Sequence, residues 1–251
     1  MIHRVLLSIL LINFAALADS ATLPAVPPPV VPGAETLLQA ETMVYSETAT
    51  TRDVEQAIRD ARSAFRTIRD PRLRAYWEAR AVLLLGSHLN HVGDTRRAAQ
   101  VLPEGLDLVE EALRGGDFSD GLRVLADLHS QMTLARGMLH MIRHGETARE
   151  AAARARELDP ENIRALITVA GFYLNAPRIA GGDTKTGIER LELALEMNPP
   201  DRNDRFMIIG WLAEAHLTLG DKAKARGYAL EAQEIYRESR WIRKILQEVE
   251  R

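Results

Sequence analysis

From Ala34 to the end of the chain the sequence repeats one unit: an apolar segment with helical spacing, a break at glycine or proline, and a second helical segment. No stretch of useful length alternates apolar and polar residues as a half-buried strand would. Because the breaks are short, consecutive helices must fold back on each other as antiparallel hairpins. The pattern therefore predicts an all-α array of about ten helices, among them one continuous helix over residues 118–142.

Small residues recur in these hairpins with the spacing of a 34-residue repeat. The repeat requires small residues at positions 8, 20 and 27, where helices approach closely, and larger residues at 4, 7, 11 and 24, where gaps are filled. Three hairpins follow this pattern. The first has small residues at Gly86 and Ala98, but its second half departs from the repeat at Pro103 and Gly105; the others have them at Gly171, Gly187 and Ala194, and at Ala213, Ala225 and Ala232. The spacing resembles the tetratricopeptide repeat, which implies an α-solenoid of antiparallel helix hairpins.

The N-terminus has the three parts of a secretory signal peptide: basic Arg4, an apolar run over residues 5–17 and a small-residue cleavage pattern ending at Ala18. Five prolines in residues 22–33 predict an extended spacer. We therefore expect a signal peptide over residues 1–18, a proline-rich linker over 19–33 and a helical repeat domain over 34–251. The expected location is periplasmic or secreted; the alternative is a chain anchored by its uncleaved N-terminal segment.

Charge and composition exclude several classes of protein. The formal charge is −3, so no basic excess attracts nucleic acid. The chain has no cysteine, which excludes disulfides, thiolate zinc sites and a cysteine nucleophile. After signal cleavage no segment is apolar enough to span a membrane. No H-E-x-x-H, G-x-S-x-G or paired-carboxylate motif is present, so we expect no enzyme, no catalytic residue and no cofactor.

The segment at residues 175–201 contains paired glycines before Lys185 and Thr186, which invites comparison with a phosphate-binding loop. Thr184 stands where that motif requires glycine, and the preceding segment is helical rather than a strand. Pro177 and the glycines suit a turn between helices, and Asp183 suits the N-cap of the second. We therefore predict a turn, four residues longer than the repeat requires.

The turn sequence, with the helices that flank it, carries a second resemblance. Residues 171–200 followed by 206–232 are similar to exported bacterial tetratricopeptide-like proteins, and among them to the T-component family of tripartite ATP-independent periplasmic transporters. That resemblance covers about residues 75–235. It implies an accessory transport protein that binds a small apolar ligand or a solute-binding subunit.

Two pairs of histidines are spaced at about one helical turn. His140 and His144 are four residues apart on one helix, and His88 and His91 are three apart on another. Spacing of four can place two imidazoles on one metal, but the sequence specifies no third ligand. We therefore expect solvated or capping histidines and no metal site.

The concave groove of a tetratricopeptide array is lined by fixed positions of the first helix of each hairpin. In this chain those positions are Arg80, Leu83, Ser87, Asn90, His91, Thr168, Phe172, Asn175, Met207, Gly210, Glu214 and Leu217. With the enlarged turn, they predict partner-binding residues Arg80, Asn90, Phe172, Asn175 and Arg178. The expected function is non-catalytic binding of a protein or peptide in the cell envelope, with the small apolar ligand as the alternative.

Overall fold

The computed structural model describes residues 31–251. The signal peptide expected over residues 1–18 and all but the end of the expected linker lie outside the described residues. In this part of the chain, eleven α-helices and one short 3-10 helix follow each other without a strand. They are α1 (Ala34–Ser46), α2 (Thr51–Phe65), α3 (Pro71–His91), α4 (Thr95–Leu113), α5 (Ser119–Arg136), α6 (Met138–Leu158), α7 (Ile163–Asn175), η1 (Arg178–Ala180), α8 (Thr184–Glu196), α9 (Arg202–Thr218), α10 (Lys222–Ile235) and α11 (Arg240–Val249).

The helices form two layers. Each helix packs against the next one in the chain, and each odd-numbered helix also packs against the odd-numbered helix before it. The odd helices therefore form an inner layer and run in the same direction, while the even helices cover the outside. This arrangement confirms the predicted all-α array of antiparallel helix hairpins.

Small residues lie at several of the close approaches that the repeat spacing predicts, although Gly171 is an exception, because a methyl group added there would meet no atom within 4 Å. A methyl group added to Gly86 would lie 2.3 Å from a side-chain carbon of Leu102, which is fully buried between α3 and α4. An added methyl at Gly105 would lie 2.7 Å from Leu128, and one at Gly187 would lie 2.6 Å from Leu174. Because these glycines have no side chain, the helices can pack closely at the α3–α4, α4–α5 and α7–α8 contacts.

The helix predicted over residues 118–142 is wrong in its extent. The structure ends α5 at Arg136 and begins α6 at Met138, with Gly137 between them at a φ of 78°. Only glycine adopts this backbone conformation readily, so the chain reverses within one residue. The prediction failed because the flanking residues keep helical spacing through the break.

We expect Gly86→Ala to lower the free energy of unfolding by about 1–2 kcal/mol, because overpacking against buried Leu102 outweighs the gain in helix propensity. Gly227→Ala is the matched control, since Gly227 lies exposed inside α10 and an added methyl there meets no atom within 4 Å. The control should be neutral or stabilising. Urea denaturation of both variants checks this, and equal effects would show that the α3–α4 contact is not tight.

Candidate functional site

The inner layer closes into a ring. Helix α1 packs against α2 and α3 at one end of the array and against α9 at the other. The Tyr45 ring lies 6.0 Å from that of Phe206, and Asn203 donates a 3.2 Å hydrogen bond to the hydroxyl of Thr42. Beyond α1, the carboxylate of Glu47 accepts hydrogen bonds from the backbone and guanidinium of Arg240. These contacts join segments up to 193 residues apart, so the two ends of the helix array are in contact with each other.

Arg164 is the centre of this closure. Its guanidinium lies 3.2 Å from Glu41 of α1 and 2.8 Å from Asp204 of α9. It also lies 3.6 Å from Asp201, the N-cap of α9. Burial acts to lower the pKa of Arg164, but Glu41 and Asp204 outweigh it and the pKa is raised. The arginine therefore stays charged and holds three helices of the ring together.

A cavity of about 470 Å³ lies inside the ring. Its apolar wall comes mainly from Leu83, Leu84, Met141, Ile167, Phe172, Met207 and Trp211. Leu134 and Asn175 also line it and are exposed on the surface, so the cavity reaches solvent near these two residues. Its volume falls in the range of small-molecule sites.

A second buried network supports the wall formed by α3, α5 and α7. The Arg123 guanidinium lies 2.6 Å from Asp120 and 2.8 Å from Asp127. Asp127 also accepts a 2.8 Å hydrogen bond from Thr168 of α7, and Asp120 accepts one from the hydroxyl of Tyr76. Burial raises the pKa of Asp127, despite the nearby charge of Arg123 and the Thr168 hydroxyl. The hydrogen bonds that Thr168 and Tyr76 donate to this network hold α7 and α3 against α5.

Arg80 lies on the same wall in a different environment. Its guanidinium stacks over the ring of Trp77, 4.7 Å from the ring centre, and its Nη1 lies 3.5 Å from the Tyr76 hydroxyl. Among residues 31–251 no carboxylate lies within 4.0 Å of it. The aromatic face fixes the plane of the guanidinium and leaves most of its N–H donors free.

The predicted partner-binding residues divide into two groups. Arg80, Phe172 and Asn175 all line the cavity. Asn90 lies outside it, where its side chain donates 2.9 Å hydrogen bonds to the backbone and side chain of Gln131 and so joins α3 to α5. Arg178 is exposed on η1, also outside the cavity.

Of the other residues that the repeat predicts to line the groove, some line the cavity and others do not. Leu83, Ser87, Thr168 and Met207 line the cavity. Gly210 is instead covered by α11, because the Trp241 ring packs where a side chain at residue 210 would lie. Glu214 stays exposed and accepts a 2.8 Å hydrogen bond from Nε1 of Trp241. The last helix therefore packs over the end of the third hairpin.

The segment after α7 forms a turn, as its sequence predicts. Pro177 precedes η1, Gly181 has a φ of 90°, and the Asp183 side chain accepts hydrogen bonds from the first amides of α8. An added methyl at Gly182 would lie 1.8 Å from the carbonyl oxygen of Ala176. Both glycines are thus required by the backbone of the turn itself.

Sequence reasoning missed the residues that α1 and α5 contribute. Leu37, Glu41 and Tyr45 line the cavity from α1, and Arg123 and Asp127 line it from α5. Helix α1 precedes the first hairpin that fits the repeat, and α5 follows a hairpin whose second half departs from it. A useful signal was the three charged residues of α5 at spacings of three and four, Asp120, Arg123 and Asp127, which share one helix face.

Three histidines form a stack beside the cavity. His140 is buried, rather than solvated as expected, and its Nε2 lies 3.3 Å from Nδ1 of buried His129. The rings of His129 and His144 stack at 10° with centres 5.1 Å apart. Within the described residues no group of three or more acidic or histidine side chains is arranged to hold a metal ion.

No protein-family model matches this chain, and no curated protein matches it significantly. The tetratricopeptide and T-component resemblances therefore stay predictions. Among residues 31–251, no helix combines the length and apolar character needed to cross a bilayer.

We expect the His129 ring to make stability depend on pH. Burial, with smaller contributions from His140 and His144, lowers its pKa to about 4. The unfolded chain has the ordinary value of about 6.5, so between these values it binds a proton that the folded chain does not. The free energy of unfolding should therefore fall as the pH falls through this window, by about 2 kcal/mol for this ring between pH 7.5 and 5.

His129→Gln removes that contribution and should flatten the dependence. Urea denaturation at several pH values between 5 and 7.5 measures both curves. Carboxylates elsewhere are common to both proteins, so the difference between the curves reports the His129 ring together with its coupling to the neighbouring His140. Parallel curves would show that His129 is protonated equally in the folded and unfolded states.

Proposed function

We propose that this chain is a non-catalytic binding protein that holds a small, largely apolar molecule in the cavity inside its helical ring. The observation that carries the proposal is the cavity of about 470 Å³, whose wall combines aliphatic and aromatic side chains with a few polar groups. Such a wall is typical of small-molecule sites, where apolar surface supplies affinity and polar groups fix orientation. Binding of a small apolar ligand, the alternative expected from the sequence, is therefore the function that we propose first.

A peptide lying along an open concave groove is less well supported. Helix α1 closes the ring between α3 and α9 and is held to α7 and α9 through Arg164. A peptide in an open groove would require α1 to move away, which would break the Glu41–Arg164 pair and leave the Glu41 carboxylate without its cation. What remains inside the ring is a space of small-molecule size.

We propose a non-catalytic function because most charged groups near the cavity are paired with each other. Arg123, Asp127, Arg164, Glu41 and Asp204 bind one another rather than present themselves to a substrate. The periplasmic or secreted location and membership of the T-component family are proposed on the N-terminal sequence and the turn sequence alone. They fit a carrier that serves a transporter.

Filling the cavity should weaken binding. Gly171 lines the cavity from within α7, and an added Cβ there meets no atom within 4 Å. Gly171→Leu should therefore keep the fold and weaken binding of a neutral fluorescent probe, N-phenyl-1-naphthylamine, by about tenfold or more, because the leucine takes the space of the ligand. Gly227→Leu, an exposed glycine in α10, is the matched control.

The measurement is a fluorescence titration of the chain without its signal segment, with circular dichroism to verify folding. Stoichiometric uptake that Gly171→Leu removes and Gly227→Leu preserves supports the proposal. No uptake by the parent chain, or equal uptake by all three proteins, contradicts it.

A second candidate function, binding of a protein that delivers or receives the ligand, is favoured by one surface. Leu134, Met138, Leu139 and Ile142, here called the α5–α6 surface, are 58–73% exposed although all are large and apolar. Leu134 also lines the cavity, so the surface adjoins its opening. Clustered exposed apolar side chains are typical of interaction sites.

The α5–α6 surface gives a direct test against a protein partner. Leu139→Glu combined with Ile142→Glu should cut recovery of a specific envelope protein in affinity purification by about tenfold, because burial of the charges opposes docking. Leu73→Glu, at an exposed leucine on α3, is the control. Equal recovery with all three baits would exclude the surface, whatever proteins are captured.

A further inference from the structure

We propose that the ligand in this cavity carries a carboxylate and that Arg80 binds it, so that the ligand class is an apolar carboxylic acid. The proposal rests on the proposed function, because it concerns the same cavity. The observation that supports the proposal is that the charged groups on the cavity wall are paired with each other except for Arg80.

Six charged side chains line the cavity: Glu41, Arg80, Arg123, Asp127, Arg164 and Asp204. Five of them are paired with each other, Arg123 with Asp127 at 2.8 Å and Arg164 with Glu41 and Asp204 at 3.2 and 2.8 Å. Among the described residues Arg80 alone of the six lies within 4.0 Å of no charge of opposite sign. Burial would raise the pKa of Asp120, but the charges of Arg123 and, to a smaller extent, Arg80 lower it. Even so, no carboxylate of the described residues forms an ion pair or hydrogen bond with Arg80. A bound anion would supply this half-buried guanidinium with a direct partner.

The orientation of the Arg80 guanidinium suits a bound anion. Trp77 supports one face of it at 4.7 Å, which fixes its plane. Its nearest hydrogen-bond acceptor is the Tyr76 hydroxyl at 3.5 Å, a long contact, and that hydroxyl donates its own proton to Asp120. Planar N–H donors in a fixed orientation match the two oxygens of a carboxylate.

A cationic ligand would find no comparable partner. Asp127 already accepts hydrogen bonds from Arg123 and Thr168. Glu41 and Asp204 both bind Arg164. A positively charged group would have to break one of these buried pairs, whereas a carboxylate at Arg80 breaks none.

The distribution of charge along the helices suits a molecule with one charged end. In α3, α5, α7 and α9 the first cavity-lining residue along the chain is charged: Arg80, Arg123, Arg164 and Asp204. Later lining residues of these helices, apart from Asp127, are apolar or uncharged, and include Phe172 and Trp211. Since the odd helices run in the same direction, the charged residues share one end of the cavity and the apolar wall extends away from it.

The test compares decanoic acid with 1-decanol, which have the same chain length and differ in charge at pH 7.5. The two compounds compete against the neutral probe on the chain without its signal segment. The parent protein should bind decanoate at least about tenfold more tightly than decanol, because a carboxylate gains charge-assisted hydrogen bonds to Arg80 that the alcohol lacks. Arg80→Gln should lose this preference while still binding decanol, and Arg80→Lys should keep part of it.

Arg59→Gln is the matched control, because Arg59 is exposed on α2 and lies outside the cavity, yet the substitution changes the net charge equally. Equal affinity for acid and alcohol in the parent protein, or a preference that survives Arg80→Gln, would overturn the inference and leave the proposed function intact. Failure of the probe and of both compounds to bind would instead remove the proposed function. Circular dichroism confirms that each variant is folded.

Discussion

Closure of the helical ring is the constraint on which the cavity depends, and Arg164 is the residue that makes it. An array of stacked hairpins leaves its inner surface open unless something covers it. Here α1 is held across the ring because one guanidinium binds acidic residues of α1 and α9 together. Without that junction the inner faces of α3, α5 and α7 would border solvent as a groove, and no enclosed volume would exist.

The buried ion pairs specify this closure more than they strengthen it. Removing charged groups from water costs several kcal/mol per ion, which their attraction roughly offsets. The apolar clusters between helices, such as Leu166, Leu191 and Leu212, supply the stabilising burial. The charged groups decide instead which helix faces which, since Arg164 finds its partners on α1 and α9. Likewise Asp127 and Asp120, paired with Arg123 within α5, accept hydrogen bonds from Thr168 of α7 and Tyr76 of α3.

The hairpins were predictable because their signals are local. Helical spacing and turn residues are read within about 20 residues, and the repeat register places small residues such as Gly86 at contacts close in sequence. The same register predicted Arg80 and Phe172 as inward-facing, and both line the cavity. Contacts between Glu41 and Arg164, 123 residues apart, leave no periodic trace, so the role of α1 and the hydrogen bonds of Asn90 to Gln131 of α5 could not be predicted.

The chemistry of the site follows from the difference between Arg80 and the other cavity-lining arginines. Arg123 and Arg164 lie among carboxylates: Arg123 is paired within α5, and Arg164 joins α7 to α1 and α9. Arg80 lies against aromatic faces, which support a guanidinium but cannot neutralise it. The sequence distinguishes only Arg123, whose aspartate partners are three and four residues away on the same helix. Arg80 and Arg164 are told apart only by the packing of neighbouring helices, which pairs Arg164 with carboxylates and leaves Arg80 with hydrogen-bonding capacity for a ligand.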